Sequence, residues 1–446
     1  MRTQLAPNQV LMPISAERNA AGHLVIGGCD VVELARTHGT PLYVLDEATI
    51  RAACRAYTEA LAAHYPPGGR VLYASKAHCT MALMALAHQE GLGMDVVSAG
   101  EMHTAMAAGV PAESLVMQGN NKPVWELEMG LKAGAGRINV DNLDELYLVA
   151  ALAEKLDAHP RILFRVAPGI EAHTHEFIQT GQEDSKFGLD LKSGQLDTAM
   201  RFVKAHPRLR WMGLQAHIGS QIFDADAFEK AAHLMVGLLA SVRDTHGVIA
   251  EELDLGGGLG IPYVASDDPP AIGETVKLLA QAVLKACDTH GFPPPQLVLE
   301  PGRSIVGAAG VTLYEIGGRK TVPGVRTYVA VDGGMADNPR PITYGAEYTV
   351  ALANREGGEA ETVTIAGRYC ESGDILFKDV SLGAPTAGDL LAVFATGAYN
   401  YAMASNYNRV GRPPVVLVAD GRADVVVERE SLDDLVRLDR LPPRLR

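Results

Sequence analysis

Lys76, in Tyr-Ala-Ser-Lys-Ala, closes a short apolar run, and a lysine there is either a rim charge or an amine that forms Schiff bases. Loss of hydration lowers an amine's pKa and makes it a nucleophile toward aldehydes. His217 ends a second run, ahead of Ile-Gly-Ser220. It is either a core histidine with one hydrogen bond or a ring placed to stack on an aromatic group. Gly256-Gly257-Gly258 ends a third run. It misses the G-x-G-x-x-G fingerprint, since position 261 is Ile, and it has no P-loop lysine. It does offer backbone N–H groups with no side chain in the way, which suits a phosphate. Glu300-Pro301-Gly302-Arg303 ends a fourth run, and its acid is either satisfied by backbone donors or held for a ligand. Cys370 lies in Cys-Glu-Ser-Gly-Asp374, a polar run that a core strand would avoid. Most free cysteines are small buried hydrophobes. A thiol with an unperturbed pKa of about 8.5 can also pass a proton near neutrality.

The elements that must position these groups follow from the apolar runs. Candidate strands are Val71–Ser75, Met94–Val97, Leu115–Gln118, Ile138–Asp141, Ile162–Val166, Met212–His217, Glu252–Leu255 and Leu297–Glu300. Amphipathic stretches such as Asp144–Leu156 and Ala225–Thr245 lie between them. Eight such βα units predict a (β/α)8 barrel, whose working groups sit where the strands end and whose phosphate sites recur after strands seven and eight. After about residue 308 short β-rich runs alternate with Gly, Pro and Asn turns: Arg326–Val331, Glu361–Ile365, Leu390–Phe394, Val415–Val418 and Ala423–Val427. The expected organisation is an α/β barrel over 40–308 and an all-β sandwich or barrel over 309–446. An N-terminal segment, 1–39, is expected to join the β domain.

Composition narrows the classes of function. The 446 residues carry a formal charge of −14, which argues against nucleic-acid binding, since phosphate contacts need clustered Lys and Arg. No apolar run is long enough to span a bilayer, and the N-terminus shows no basic start followed by an apolar stretch. A cytoplasmic protein is expected. The five cysteines, at 29, 54, 79, 287 and 370, show no C-x-x-C spacing, so neither a disulfide framework nor a metal site is suggested.

Taken in order, Tyr-Ala-Ser-Lys76-Ala, His217-Ile-Gly-Ser-Gln, Gly256-Gly-Gly-Leu-Gly, Glu300-Pro-Gly-Arg and Cys370-Glu-Ser-Gly-Asp resemble the group IV pyridoxal-phosphate (PLP) decarboxylases. Within that group the chain is similar to the diaminopimelate decarboxylases. Asp332-Gly-Gly-Met-Ala-Asp-Asn-Pro-Arg340-Pro and Gly397-Ala-Tyr399-Asn-Tyr-Ala-Met-Ala-Ser-Asn-Tyr-Asn408 support this, as do His173–Gly181 and Asp184-Ser-Lys-Phe-Gly188. The resemblance covers about residues 40 to 430. It implies that Lys76 holds PLP through a Schiff base, while His217, Ser220, Gly257, Gly258, Glu300, Pro301, Gly302, Arg303 and Tyr399 line the cofactor. Glu300 would keep the pyridine nitrogen protonated, so that the ring accepts the electrons left by carbon dioxide. Arg303, Arg340, Tyr344, Glu371 and Tyr399 would hold substrate, and Cys370 would donate the proton. The family also implies a homodimer, in which the Cys370–Glu371 loop completes the other subunit's site.

The same residues bear on which amino acid fits. Diaminopimelate has a second ammonium and a second carboxylate at its far end. Arg303 and Arg340 offer planar forks to a carboxylate, and Glu371 can accept from the ammonium. Ornithine decarboxylases typically carry Asp after the cysteine. The competing readings are a relative acting on another basic or D-amino acid, a barrel racemase, and a non-catalytic regulator. Retention of both Lys76 and Cys370 argues against the last, and the Cys-Glu-Ser-Gly-Asp run argues against a racemase. His78, where many relatives carry Asn or an apolar residue, is assigned no role.

Overall fold

The computed structural model describes residues 5–169 and 185–445, so the stretch His173–Gly181 and Asp184 lie outside the described residues. The chain divides into two compact units. The first comprises Met1–Gln9, Arg51–Ile261 and Asp268–Ile305; the second, Val10–Ile50, Pro262–Asp267 and Val306–Arg446.

The first unit is a closed barrel of eight parallel strands, as the alternating pattern predicts. They are β1 (Gly69–Ala74), β2 (Gly93–Val96), β3 (Leu115–Met117), β4 (Arg137–Val140), β5 (Arg161–Arg165), β6 (Arg210–Gln215), β7 (Glu252–Asp254) and β8 (Gln296–Leu299). Each strand pairs with the next, and β8 closes on β1. Almost every strand residue is buried, because helices cover the outside and side chains fill the inside. The helices begin on local caps. Ser98, Asn142 and Asp224 each accept from a backbone N–H of the first turn of the helix that follows. Ile272–His290 has no cap of its own, and Asn8 Oδ1 accepts from Ile272 N–H at 3.0 Å instead. An ion pair lies at the N-terminal ends of the strands. Arg137, opening β4, donates through Nε to Glu252 Oε2 of β7 at 3.0 Å, and Arg70 lies 3.1 Å from the same carboxylate. The opposite mouth is left for chemistry.

The second unit is built on a nine-stranded sheet. Its spine is Gly310–Val322, whose first half is buried and whose second half is exposed. The first half pairs with Leu42–Asp46 and Leu390–Phe394, and the second half with Arg326–Val331. The sequence boundary at residue 40 puts Leu42–Asp46 in the barrel. In the structure this strand is a central member of the second sheet, between Gly310–Val322 and Val415–Ala419, and all five of its residues are buried. A strand covered on both faces reads the same in sequence whichever sheet takes it. Residues 17–30 form a small three-stranded sheet of their own. Leu24, Ile26, Val31 and Leu34 share one core with Leu42, Val44, Val311, Leu313 and Phe394.

Candidate active site

The barrel's chemistry-bearing residues lie just beyond the strand ends. Lys76 sits in a single 3-10 turn, Ser75–Ala77, directly after β1. Its neighbours Ser75 and Ala77 are buried and the lysine is exposed. Ser75 Oγ donates to the Asp95 carbonyl of β2 at 2.7 Å, which anchors the turn from below. His78 is buried, and its backbone carbonyl accepts from the Tyr73 hydroxyl at 3.1 Å.

The loops after β6, β7, β8 and β1 press against one another through glycine. A Cβ on Gly257 would fall 2.2 Å from the Glu300 carbonyl oxygen, and one on Gly258 would fall 2.6 Å from the Gly219 oxygen. A Cβ on Gly302 would meet Ala74 O at 3.0 Å. Glu300 N–H donates to Gly256 O at 2.7 Å, and Ala74 N–H to Pro301 O at 2.9 Å. Arg303 is buried and its Nη2 donates to Ser220 Oγ at 2.8 Å. Side-chain-free amides, a hydroxyl and a guanidinium are thereby gathered at one end of the barrel, a donor set that fits a phosphate.

The ring-facing candidates are equally local. His217 follows β6 by two residues, and Gly257 N–H points at its Nδ1 at 3.4 Å. Burial, and then the cations Lys76 and Arg165, push its pKa well below the ordinary histidine range. The imidazole is therefore neutral near pH 7, as a stacking ring should be. Glu300, the first residue after β8, is buried and accepts from Gln118 Nε2 at 2.6 Å and Gln215 Nε2 at 2.9 Å. A carboxylate so held fits the nitrogen of a pyridine ring. The donor set, the neutral histidine and the held acid together fit PLP.

Arg340, Tyr344, Cys370, Glu371 and Tyr399 all lie in the second unit. Arg340 and Tyr344 begin and end one short helix. Arg340 is buried, its Nη1 donating to the Tyr348 hydroxyl at 2.6 Å, and that hydroxyl donates to Asn400 Oδ1 at 3.3 Å. Tyr399, next to Asn400, has φ of +61°, an uncommon conformation for a bulky residue. Cys370, Glu371, Ser372 and Gly373 are exposed. The loop is pinned by buried Asp374, which accepts from Met335 N–H at 2.7 Å and Tyr369 N–H at 2.9 Å. Cys370 N–H donates to Asn408 Oδ1 at 2.9 Å. Three separated sequence motifs, 332–341, 370–374 and 397–408, are thus tied to one another. Of the other cysteines, Cys29, Cys54 and Cys287 are buried and Cys79 is partly so.

Sequence reasoning passed over Gln118, Gln215 and Asp254, which stand at or next to the ends of β3, β6 and β7. The available signal was a polar residue closing an apolar run, as in Glu-Leu-Asp254-Leu-Gly-Gly-Gly.

A parallel barrel with a lysine after its first strand and glycine loops after its seventh and eighth fits the PLP-dependent barrel enzymes as a class. The family model described as "Pyridoxal-dependent decarboxylase, pyridoxal binding domain" matches residues 47–307. Diaminopimelate decarboxylase of Synechocystis is 50% identical over 449 residues, covering 99% of this chain and 95% of that protein. The Bacillus subtilis enzyme of the same name is 48% identical over 426 residues, covering 95% and 97%. The crystal structure of diaminopimelate decarboxylase from M. jannaschii in co-complex with L-lysine superposes with a TM-score of 0.90 at 35% identity, over 99% of this chain and 100% of that one. The chain belongs to the diaminopimelate decarboxylase family.

Proposed function

We propose that this protein removes one carboxylate from meso-2,6-diaminopimelate, giving L-lysine and carbon dioxide, the last step of lysine biosynthesis. The observation that carries the reading is the full-length identity, 44–50%, to relatives that are named for this activity.

When bound, PLP takes up the electron pair that the departing carbon dioxide leaves behind. The chain's own residues do the rest. Lys76 supplies the amine that anchors the cofactor's aldehyde. Ser220, Gly257, Gly258, Pro301, Gly302 and Arg303 receive its phosphate end, and Glu300 holds a proton at the ring nitrogen. His217 offers a neutral ring face, and Tyr399 borders the cofactor. Arg303, Arg340, Tyr344 and Glu371 hold the substrate, with guanidinium forks for carboxylate and Glu371 for the far ammonium. Cys370 gives a proton to the carbon that lost its carboxylate, and its exposure supports reloading from water.

We also propose a homodimer in which the Cys370–Glu371 loop serves the partner subunit's site. Among the described residues no helix is long and apolar enough to cross a membrane. The five cysteines are free thiols, which fits a reducing, cytoplasmic compartment.

The test is parallel turnover by the purified holoenzyme. Lysine and carbon dioxide should appear from meso-diaminopimelate far faster than products from L-lysine, L-ornithine or D-amino acids. Faster turnover of any of those, or none at all, would overturn the assignment.

A further inference from the structure

Three carboxyl groups are buried within the barrel near its C-terminal mouth: Asp95 of β2, Asp254 at the end of β7 and Glu300 after β8. The cations that face them are Arg165, ending β5, and Lys76, and the neutral imidazole of His217 lies beside Lys76. Arg165 is also drawn to a fourth acid, Asp141, at 3.9 Å. Buried carboxyl groups in such excess cannot all ionise.

Hydrogen bonding decides which one does. Glu300 takes an amide N–H on each oxygen, from Gln118 on Oε1 and Gln215 on Oε2. Gln118 Oε1 in turn accepts from Asn139 Nδ2 at 2.5 Å. Donors run from Asn139 to Gln118 to Glu300. Asp254 has a different environment. Its Oδ1 accepts the Gly256 N–H at 2.8 Å, and its buried Oδ2 receives no donor among the described residues. Asp254 nevertheless stands within side-chain hydrogen-bonding reach of Glu300. Two carboxyl groups can share a hydrogen bond only when one of them carries a proton. Two donated hydrogen bonds favour charge on Glu300, and a single one leaves the proton on Asp254.

We infer that Gln118, Gln215 and Asp254 are positioning residues that make Glu300 the ionised member of this cluster, with Asp254 the neutral acid that donates to it. Burial, and then the charge of Glu300, raise the Asp254 pKa well above the usual carboxylate range, in the same direction. Burial and Glu300 do the same to Asp95. The consequence for the reaction rests on the reading of Glu300 as the partner of the cofactor's ring nitrogen. An acid that stays ionised there holds the ring proton throughout turnover, and amides can support it without adding charge.

The test compares the holoenzymes of Asp254→Asn, Gln118→Leu and Glu300→Gln by infrared spectroscopy, PLP affinity and visible absorbance as a function of pH. Asn at 254 still donates to Glu300, so PLP affinity should stay within about threefold and the visible spectrum should be kept. One protonated-carboxyl C=O component at neutral pH, beyond those of Asp95 and Asp337, should be lost in Asp254→Asn. Gln118→Leu removes one donor to a charged group, and PLP affinity should fall about tenfold or more. Its visible band should titrate as that of Glu300→Gln does. If that C=O component survives in Asp254→Asn and is lost in Glu300→Gln, or if Asp254→Asn copies the Glu300→Gln spectrum, the proton assignment is overturned. If Glu300→Gln leaves the visible spectrum and affinity untouched while Asp254→Asn loses that C=O component, the proton assignment stands. In that case Glu300 is not the ring-nitrogen partner.

Discussion

The guanidinium of Arg340 lies 4.6 Å from the centre of the Tyr263 ring while its Nη1 donates to the Tyr348 hydroxyl at 2.6 Å. Stacking on one tyrosine and hydrogen bonding to another hold a planar fork in one orientation, with further N–H donors available for a ligand carboxylate. Arg340→Ala should lower kcat/KM for diaminopimelate by about 2–5 kcal/mol in transition-state binding, with PLP still bound. Arg340→Lys should recover little, since an ammonium neither stacks nor forks in the same way. Steady-state kinetics beside a PLP titration measures both, and an unchanged kcat/KM in Arg340→Ala removes Arg340 from the substrate site.

Gly257 gives a purely steric prediction. A Cβ there would sit 2.2 Å from the backbone oxygen of Glu300, and backbone cannot swing aside as a side-chain tip can. Gly257→Ala should separate the β7 and β8 loops and weaken PLP binding by about 1–3 kcal/mol, the usual overpacking range. Equilibrium dialysis with PLP, checked by circular dichroism for an intact fold, reads it. Wild-type affinity would show that the cofactor does not depend on this contact.

Legibility in the sequence followed how local the signal was. The eight barrel strands emerged to within a residue or two because each is a short apolar run between helical stretches. Lys76, His217, Gly256 to Gly258 and Glu300 stood out because nothing in packing asks for them at a strand's end. Gln118, Gln215 and Asp254 escaped notice, since a lone amide or acid beside an apolar run has no meaning until three strands bring it to one carboxylate. The strand Gly310–Val322 was missed for another reason. Its second half is exposed and interrupted by Gly317 and Gly318, so it lacks the alternation of a half-buried strand. Arg340, Tyr399 and the cysteine loop are recognisable through family resemblance, and the ties from Asp374 and Asn408 are visible only in three dimensions.

Asp337 should make stability depend on pH. Burial pushes its carboxyl up to about 7, against the pull of the Tyr314 and Tyr369 hydroxyls and the Gly334 N–H. An unfolded aspartate titrates near 3.9, so between about pH 4 and pH 7 the folded protein holds the extra proton. Its contribution is fully present below about pH 4 and is lost as pH rises through 7, at most about 1.4 kcal/mol per pH unit. Asp337→Asn cannot titrate. Subtracting its melting curve from wild type between pH 4.5 and 8 should isolate a difference that falls with pH, and a flat difference would mean that Asp337 is ionised throughout.

Lys76 is expected to carry the cofactor. Purified protein should be yellow, and borohydride should fix PLP to a peptide containing residue 76. Lys76→Ala should lose the visible band and nearly all activity. Label on Lys122 or Lys186 instead would move the attachment point. Lys122 is a poor competitor, because its Nζ is buried against Glu145 at 2.6 Å and two backbone carbonyls.

Cys370 carries the last prediction. Its thiol is exposed at the tip of a loop whose base is locked by Asp374 and whose backbone is held by Asn408, so the tip is presented rather than packed away. A buried structural cysteine would instead resemble Cys29, Cys54 or Cys287. Cys370→Ala should keep the visible band of bound PLP and should bind substrate, yet protonate the decarboxylated carbon slowly, with kcat falling about 10²–10⁴-fold, the usual worth of a placed proton donor. Mixing Cys370→Ala with Lys76→Ala subunits tests whether the loop serves the partner's site. A heterodimer would own one site with both residues intact, and part of the lost activity should return once subunits exchange. If mass spectrometry confirms heterodimers and the mixture stays as inactive as its parents, Cys370 and Lys76 do not work across a subunit boundary.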